Sequence, residues 1–110
     1  MNPIIVTTTN SVEGRQITQY LGIVRGIAVR VPKLGQGFQA LGQVLSGDMQ
    51  AGANMYADLC ETARAQAYSR LVEHAQAMGA DAIIAMRFTS TSVGESAAEI
   101  LAYGTAVKLS

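Results

Sequence analysis

Residues 50–78 read QAGANMYADLCETARAQAYSRLVEHAQAM, and residues 97–109 read AAEILAYGTAVKL. The first stretch is rich in Ala and free of Pro. Met55, Leu59, Ala63, Ala67, Leu71, Ala75 and Met78 recur at spacings of 4, 4, 4, 4, 4 and 3, one apolar stripe of a long helix. Gly79 stands where a left-handed helix end needs a residue without a side chain. Asp58, Glu61, Arg64, Arg70 and Glu73 make the polar face, with Glu61 and Arg64 spaced as an i,i+3 pair. The second stretch alternates Leu101, Tyr103, Val107 and Leu109 with Ile100, Ala102 and Ala106, so both faces of this strand are largely apolar. A strand of that kind is covered on both sides. One helix covers one side of a small sheet, and a neighbouring subunit is the expected cover for the other.

Working outward, residues 82–91 (AIIAMRFTST) predict a strand, with Ala82, Ile84, Met86 and Phe88 on one face and Arg87 on the other with Ile83 and Ala85. Residues 16–31 (QITQYLGIVRGIAVRV) predict a long strand ended by Pro32. Its odd positions Leu21, Ile23, Ile27, Val29 and Val31 are apolar and Arg25 is the exception, while Gly22 and Gly26 point to bending or to close approach of another backbone. Residues 3–9 (PIIVTTT) predict a first strand. In residues 33–47, Phe38, Leu41 and Leu45 have helical spacing despite Gly35, Gly37 and Gly42, which predicts a short helix over about 37–46. The resulting class is α+β in one domain, residues 1–110, a size of 11.6 kDa that suits one core and not two.

Composition narrows the function classes. Eight basic and eight acidic side chains leave a formal net charge of zero, with no electrostatic footprint for nucleic acid or an anionic membrane. Charged residues are 15% of the chain against a usual ~25%, and apolar residues are 49%. Such a chain has little charge to cover its surface, and burial against further copies of itself is one solution. No stretch reaches the ~18 apolar residues of a membrane span. The start, Met1-Asn2-Pro3-Ile4, lacks the charged and apolar regions of a secretion signal. With a single cysteine, Cys60, the expected address is the reducing cytoplasm.

Chemistry-bearing residues are few. Cys60 and His74 are the candidate metal ligands, but 14 residues of helix separate them by about 21 Å, so one ion or one Cys–His pair is out of reach within a subunit. A metal site would draw ligands from several subunits, since zinc takes three or four protein ligands. The preferred reading of these two residues is a packed thiol and a solvated helix histidine. Gly35-Gln36-Gly37-Phe38-Gln39-Ala40 matches a dinucleotide fingerprint, with Asp58 23 residues after Gly35. Asp58 falls inside the long helix, however, and the alternating parallel strands and helices of a Rossmann sheet are missing. Glu13, Glu95 and Glu99 have no spacing that forces an acid/base pair. Arg25 and Arg87 each interrupt an apolar strand face, and such an arginine needs a carboxylate or carbonyl partner. Pairing between subunits with an acid such as Glu99 is the preferred reading; an anion pocket is the alternative. An intersubunit enzyme pocket would be built from Arg25, Arg87, Tyr20, Tyr103 and an acid, but no nucleophile–base pair can be assembled.

Several motifs occur together and in order: Thr7-Thr8-Thr9 with Glu13-Gly14, Tyr20-Leu21-Gly22-Ile23-Val24 with Gly26, Ala63-Arg64 with Ala67, Gly79-Ala80-Asp81-Ala82-Ile83-Ile84, and Gly104-Thr105-Ala106-Val107. In this set the chain resembles the YbjQ-type family, small bacterial and archaeal proteins of unknown function that carry a heavy-metal-binding label. The resemblance implies a dodecin-like β-α-β-β subunit, with a long helix on an antiparallel sheet, and a homo-oligomeric ring, a pentamer. It implies little about activity; a divalent or heavy metal is the cofactor suggested by the label. One segment departs from the family pattern. Val31-Pro32-Lys33 replaces its alanine-asparagine-isoleucine run, and Ser46-Gly47-Asp48-Met49-Gln50-Ala51-Gly52 stands in place of an arginine-bearing glycine-rich loop. The leading expectation is therefore a non-enzymatic, self-assembling ring protein, with any ligand or metal held where subunits meet.

Overall fold

The computed structural model describes residues 3–30, 49–93 and 97–110. The element order is β1 (Ile5–Val6), β2 (Ile17–Arg30), α1 (Met49–Ala77), β3 (Ala82–Val93) and β4 (Ala97–Leu109). The strands form one sheet in the order β1-β3-β4-β2. β4 is central and pairs antiparallel with both β2 and β3, while β1 runs parallel to β3. The fold is α+β, with one described helix packed on a four-stranded sheet. The sheet is mixed, where the family resemblance implied an antiparallel one. The short helix expected over 37–46, the Gly35–Ala40 fingerprint and Glu95 lie outside the described residues.

Local chemistry sets the limits of these elements. The strand expected over 3–9 is reduced to two residues. Thr7 Oγ1 accepts the Thr9 N–H at 3.1 Å, and Thr9 Oγ1 donates to the Ser11 carbonyl at 2.6 Å, so these hydroxyls turn the chain just after the strand. At the other end of α1, Ala80 N–H bonds to the Ala75 carbonyl and Gly79 N–H to that of Gln76, with Gly79 at φ +79°. This is the left-handed cap that the sequence predicted there.

The stripe on α1 explains how the helix meets the sheet. Ala63, Ala67, Leu71 and Ala75 are fully or almost fully buried against Val24, Ala28, Ile100, Ala102 and Ala106. The small residues bring the two backbones into direct contact. A Cβ on Gly26 would lie 2.0 Å from the Ala67 carbonyl oxygen and 2.4 Å from the Leu71 nitrogen, so only glycine fits. The helix lies mainly over β2 and β4.

β3 departs from the simple alternation read from its sequence. Ala85 has φ +54°, and the β3–β4 register shifts between Ile84 and Arg87. This bulge puts Ile83 and Met86 in the helix-side core and Ile84 in a separate cluster with Ala82, Val107 and Leu109. The expected grouping of Ala82, Ile84, Met86 and Phe88 on one face is therefore broken between Ile84 and Met86. Two features hold the bulge. Ala85 and Met86 donate their N–H groups to the carbonyls of Thr9 and Thr7, at 2.8 and 3.0 Å. Opposite it stands Gly104, where a Cβ would come within 2.7 Å of the Ile83 side chain and 3.0 Å of the Ile84 carbonyl oxygen.

Candidate functional site

The face of the sheet away from α1 is the candidate site, and it has two ends. At one end Val12 and Ile17 pack on Ala82, Ile84, Val107 and Leu109. The chain pins this cover by two long-range bonds: Arg15 Nε donates to the Ser110 carbonyl oxygen at 2.7 Å, and Ser110 N–H to that of Gln16 at 2.9 Å. At the other end β2 presents Ile23, Ile27 and Val29, which are 76%, 38% and 55% exposed. Their register partners on β4 are Thr105, Leu101 and Glu99. No other described residue covers this end. Ile27, Val29 and Leu101 are neighbours there, and Ile23 lies beyond Arg25; exposed aliphatic side chains grouped in this way mark an interaction surface.

A cationic row crosses that surface. Tyr103 on β4 is in register with Arg25 on β2 and with Arg87 on β3. Arg87 is tethered: one guanidinium nitrogen donates to the carbonyls of Thr8 and Met86, at 2.9 and 2.8 Å. It thus finds carbonyl partners inside its own chain. Arg25 is exposed and makes no side-chain hydrogen bond among the described residues. Glu99 is opposite Val29 and Thr91, four residues along β4 from Tyr103 and so about 13 Å from the Arg25 row. An Arg25–Glu99 pair within one chain is thereby excluded. The ion pair found among the described residues is Glu61–Arg64, at the predicted i,i+3 positions on α1. Tyr20 is 68% exposed beside a break in the β2–β4 register, five residues before Arg25. It does not join Tyr103, so the structure brings together three of the five expected pocket residues.

The candidate metal ligands are separated in the same way. Cys60 and His74 both lie on α1 and are exposed. His74 Nδ1 accepts the backbone N–H of Arg25 at 3.2 Å. A neutral imidazole in that position carries its own proton on Nε2, so neither nitrogen offers a lone pair to a metal unless the Arg25 bond is given up. Among the described residues no three His, Cys, Asp or Glu side chains converge as a metal cluster. The described residues of one chain therefore do not supply a fitting donor set. No residue pattern signals the His74–Arg25 contact, because it depends on how the helix lies across the strand.

Comparisons with known proteins agree on the family. Residues 4–110 match the YbjQ family, described as "Putative heavy-metal-binding". The chain belongs to the YbjQ family. A UPF0145 protein of Legionella pneumophila (strain Lens) is 48% identical over 105 residues, covering 94% of this chain and 96% of the relative. A UPF0145 protein of the archaeon Methanosarcina acetivorans is 41% identical over 107 residues, covering 96% and 97%. A crystal structure of a protein of unknown function from Pediococcus pentosaceus, of the DUF74 family, has a TM-score of 0.60 with 16% identity and covers 99% of this chain and all of that one. That likeness speaks for the fold alone. No described helix is long and apolar enough to cross a membrane.

Proposed function

We propose that this YbjQ-family protein is a non-enzymatic, self-assembling protein whose copies dock through the exposed end of the sheet face. The observation that carries this reading is the exposure of Ile23, Ile27 and Val29 beside Leu101 and Tyr103, in a chain with only 15% charged residues. The dimensions support it. The radius of gyration is 17.8 Å, against about 13 Å for a compact domain of this length, and the extents are 58 × 24 × 24 Å. A long, thin subunit leaves much apolar surface for a neighbour to cover. Exposed Arg25 and distant Glu99 are complementary charges on the same surface, suited to pairing between copies rather than within one. The ring, with five subunits, and the dodecin-like subunit are the forms that the family resemblance suggests, and the cytoplasm is the proposed location.

The family description favours a second reading, a heavy metal held between subunits. Repetition around a ring can gather Cys60 or His74 from several chains even though the described residues of one chain offer no cluster. One experiment addresses both readings: native mass spectrometry of protein purified without an affinity tag. The first reading expects a discrete oligomer that Ile23→Asp with Ile27→Asp dissociates to monomers. A wild-type monomer at micromolar concentration overturns it. The second expects a stoichiometric metal lost in Cys60→Ala with His74→Ala; metal-free wild-type protein, or a metal retained by that variant, removes these ligands.

A further inference from the structure

Ala85 holds a left-handed φ of +54°, a conformation that a residue with a side chain keeps only where its surroundings impose it. In an unbroken strand, Ile83, Ala85 and Arg87 would share one face, and Ile83 lies in the helix-side core. The bulge reverses that placement. It turns Arg87 to the face away from α1, in register with Tyr103, which is itself in register with Arg25. A strained residue thus adds a second arginine to a row that already held one. With strands about 4.8 Å apart, the two arginine backbones stand roughly 10 Å apart, on either side of Tyr103.

We propose that Arg25, Tyr103 and Arg87 form a binding site for a phosphate-type dianion. The charge of the row is the first reason. It carries two positive charges, Glu99 on the same face is two rows away, and the ion pair found among the described residues is on α1. The second reason is the way Arg87 is held. A single nitrogen of its guanidinium serves both the Thr8 and the Met86 carbonyls. These bonds fix the group and leave its other two nitrogens without a partner among the described residues. A guanidinium held in this way presents N–H donors that match the oxygens of phosphate, and less freedom is lost when they bind. Tyr103, 38% exposed between the arginines, adds a hydroxyl donor. Ile27 and Leu101, one row further on, offer an apolar bed to any organic body that carries the phosphate. The site is complete in one chain, so it does not depend on the docking proposed above.

The test is a titration of inorganic phosphate followed by phosphorus NMR at about pH 8, where phosphate is a dianion. Far-UV circular dichroism measures folding of each variant. The expected result is saturable binding of one phosphate per chain. Arg25→Met and Arg87→Met are each expected to weaken it about tenfold, the worth of one charged hydrogen bond, and Tyr103→Phe by less. Arg64→Met, which removes a cation on α1, is expected to leave it unchanged. No saturable binding to the wild type overturns the proposal. So does wild-type affinity in folded Arg25→Met, or an equal loss in Arg64→Met. Where Arg87→Met does not fold, Arg25→Met decides, since its side chain bonds to no described residue. Phenyl phosphate titrated in parallel identifies the source. Tighter binding than inorganic phosphate supports an organic phosphate lying on Ile27 and Leu101, and equal binding supports the free ion. The wild-type mass, read by sedimentation, tests docking separately: a monomer that binds phosphate keeps this site and removes the docking.

Discussion

The two ends of the sheet face away from α1 both carry large aliphatic side chains and have different fates. At one end Val107 is fully buried and Leu109 nearly so, under Val12 from the chain's own first turn and Ile17 at the start of β2. At the other end Ile23 and Val29, no less apolar, remain more than half exposed. What differs is reach. The segment before β2 is anchored to the C-terminus through Arg15 and Gln16, so it covers the end of β4 nearest that anchor. The difference teaches where intrachain burial stops and where a partner is needed.

The helix side sets the upper limit of this comparison. Gly26→Ala places a Cβ 2.0 Å from the Ala67 carbonyl oxygen, a backbone atom that no rotamer change can move. The expected loss is at or above the ~3 kcal/mol upper end of ordinary overpacking, read as a lower urea midpoint or as failure to fold. Less severe is Val107→Ala at the covered end, which removes two buried carbons and leaves a gap under Val12 and Ile17. A loss of about 2 kcal/mol is expected from the same urea titration. A change below 0.5 kcal/mol would mean that the loop does not seal this end. The smallest intrachain effect belongs to Ile23→Ser at the exposed end. Within one subunit it is expected to stay inside about 0.5 kcal/mol, as for other surface substitutions. Measured against protein concentration, the same variant sharpens the comparison. If Ile23 faces a second copy, the wild type gains stability with concentration and the variant gains less. Identical concentration dependence in the two would break the contrast between the ends.

Much of this architecture was legible in residue spacing. The Ala-rich stripe at four-residue intervals specified α1 and its buried face, because side chains four apart stack on one side of a helix. Gly79 specified the cap, and the doubly apolar alternation from Ile100 to Leu109 specified a strand covered on both faces. Gly26 signalled a close backbone approach, which is the contact with Ala67 and Leu71. The bulge at Ala85 was not legible, since alanine carries no turn signal. The bulge depends on the Thr7 and Thr9 carbonyls, nearly 80 residues earlier. For the same reason the sequence placed Met86 with Ile84. The candidate site was legible as a list, Arg25, Arg87, Tyr20, Tyr103 and Glu99, but not as an arrangement. Register made Arg25, Tyr103 and Arg87 a row and left Tyr20 and Glu99 outside it.

By itself the sequence determined the α+β class, the long helix with its apolar stripe and the shortage of metal ligands. These follow from local periodicity and from counts, which need no knowledge of distant contacts. Tertiary structure alone decided which end of the sheet face is covered, and that the single histidine bonds to the edge of β2. Both depend on chain reach and on the path of the helix across the strand. Residues far apart in sequence meet there through packing that no local pattern encodes.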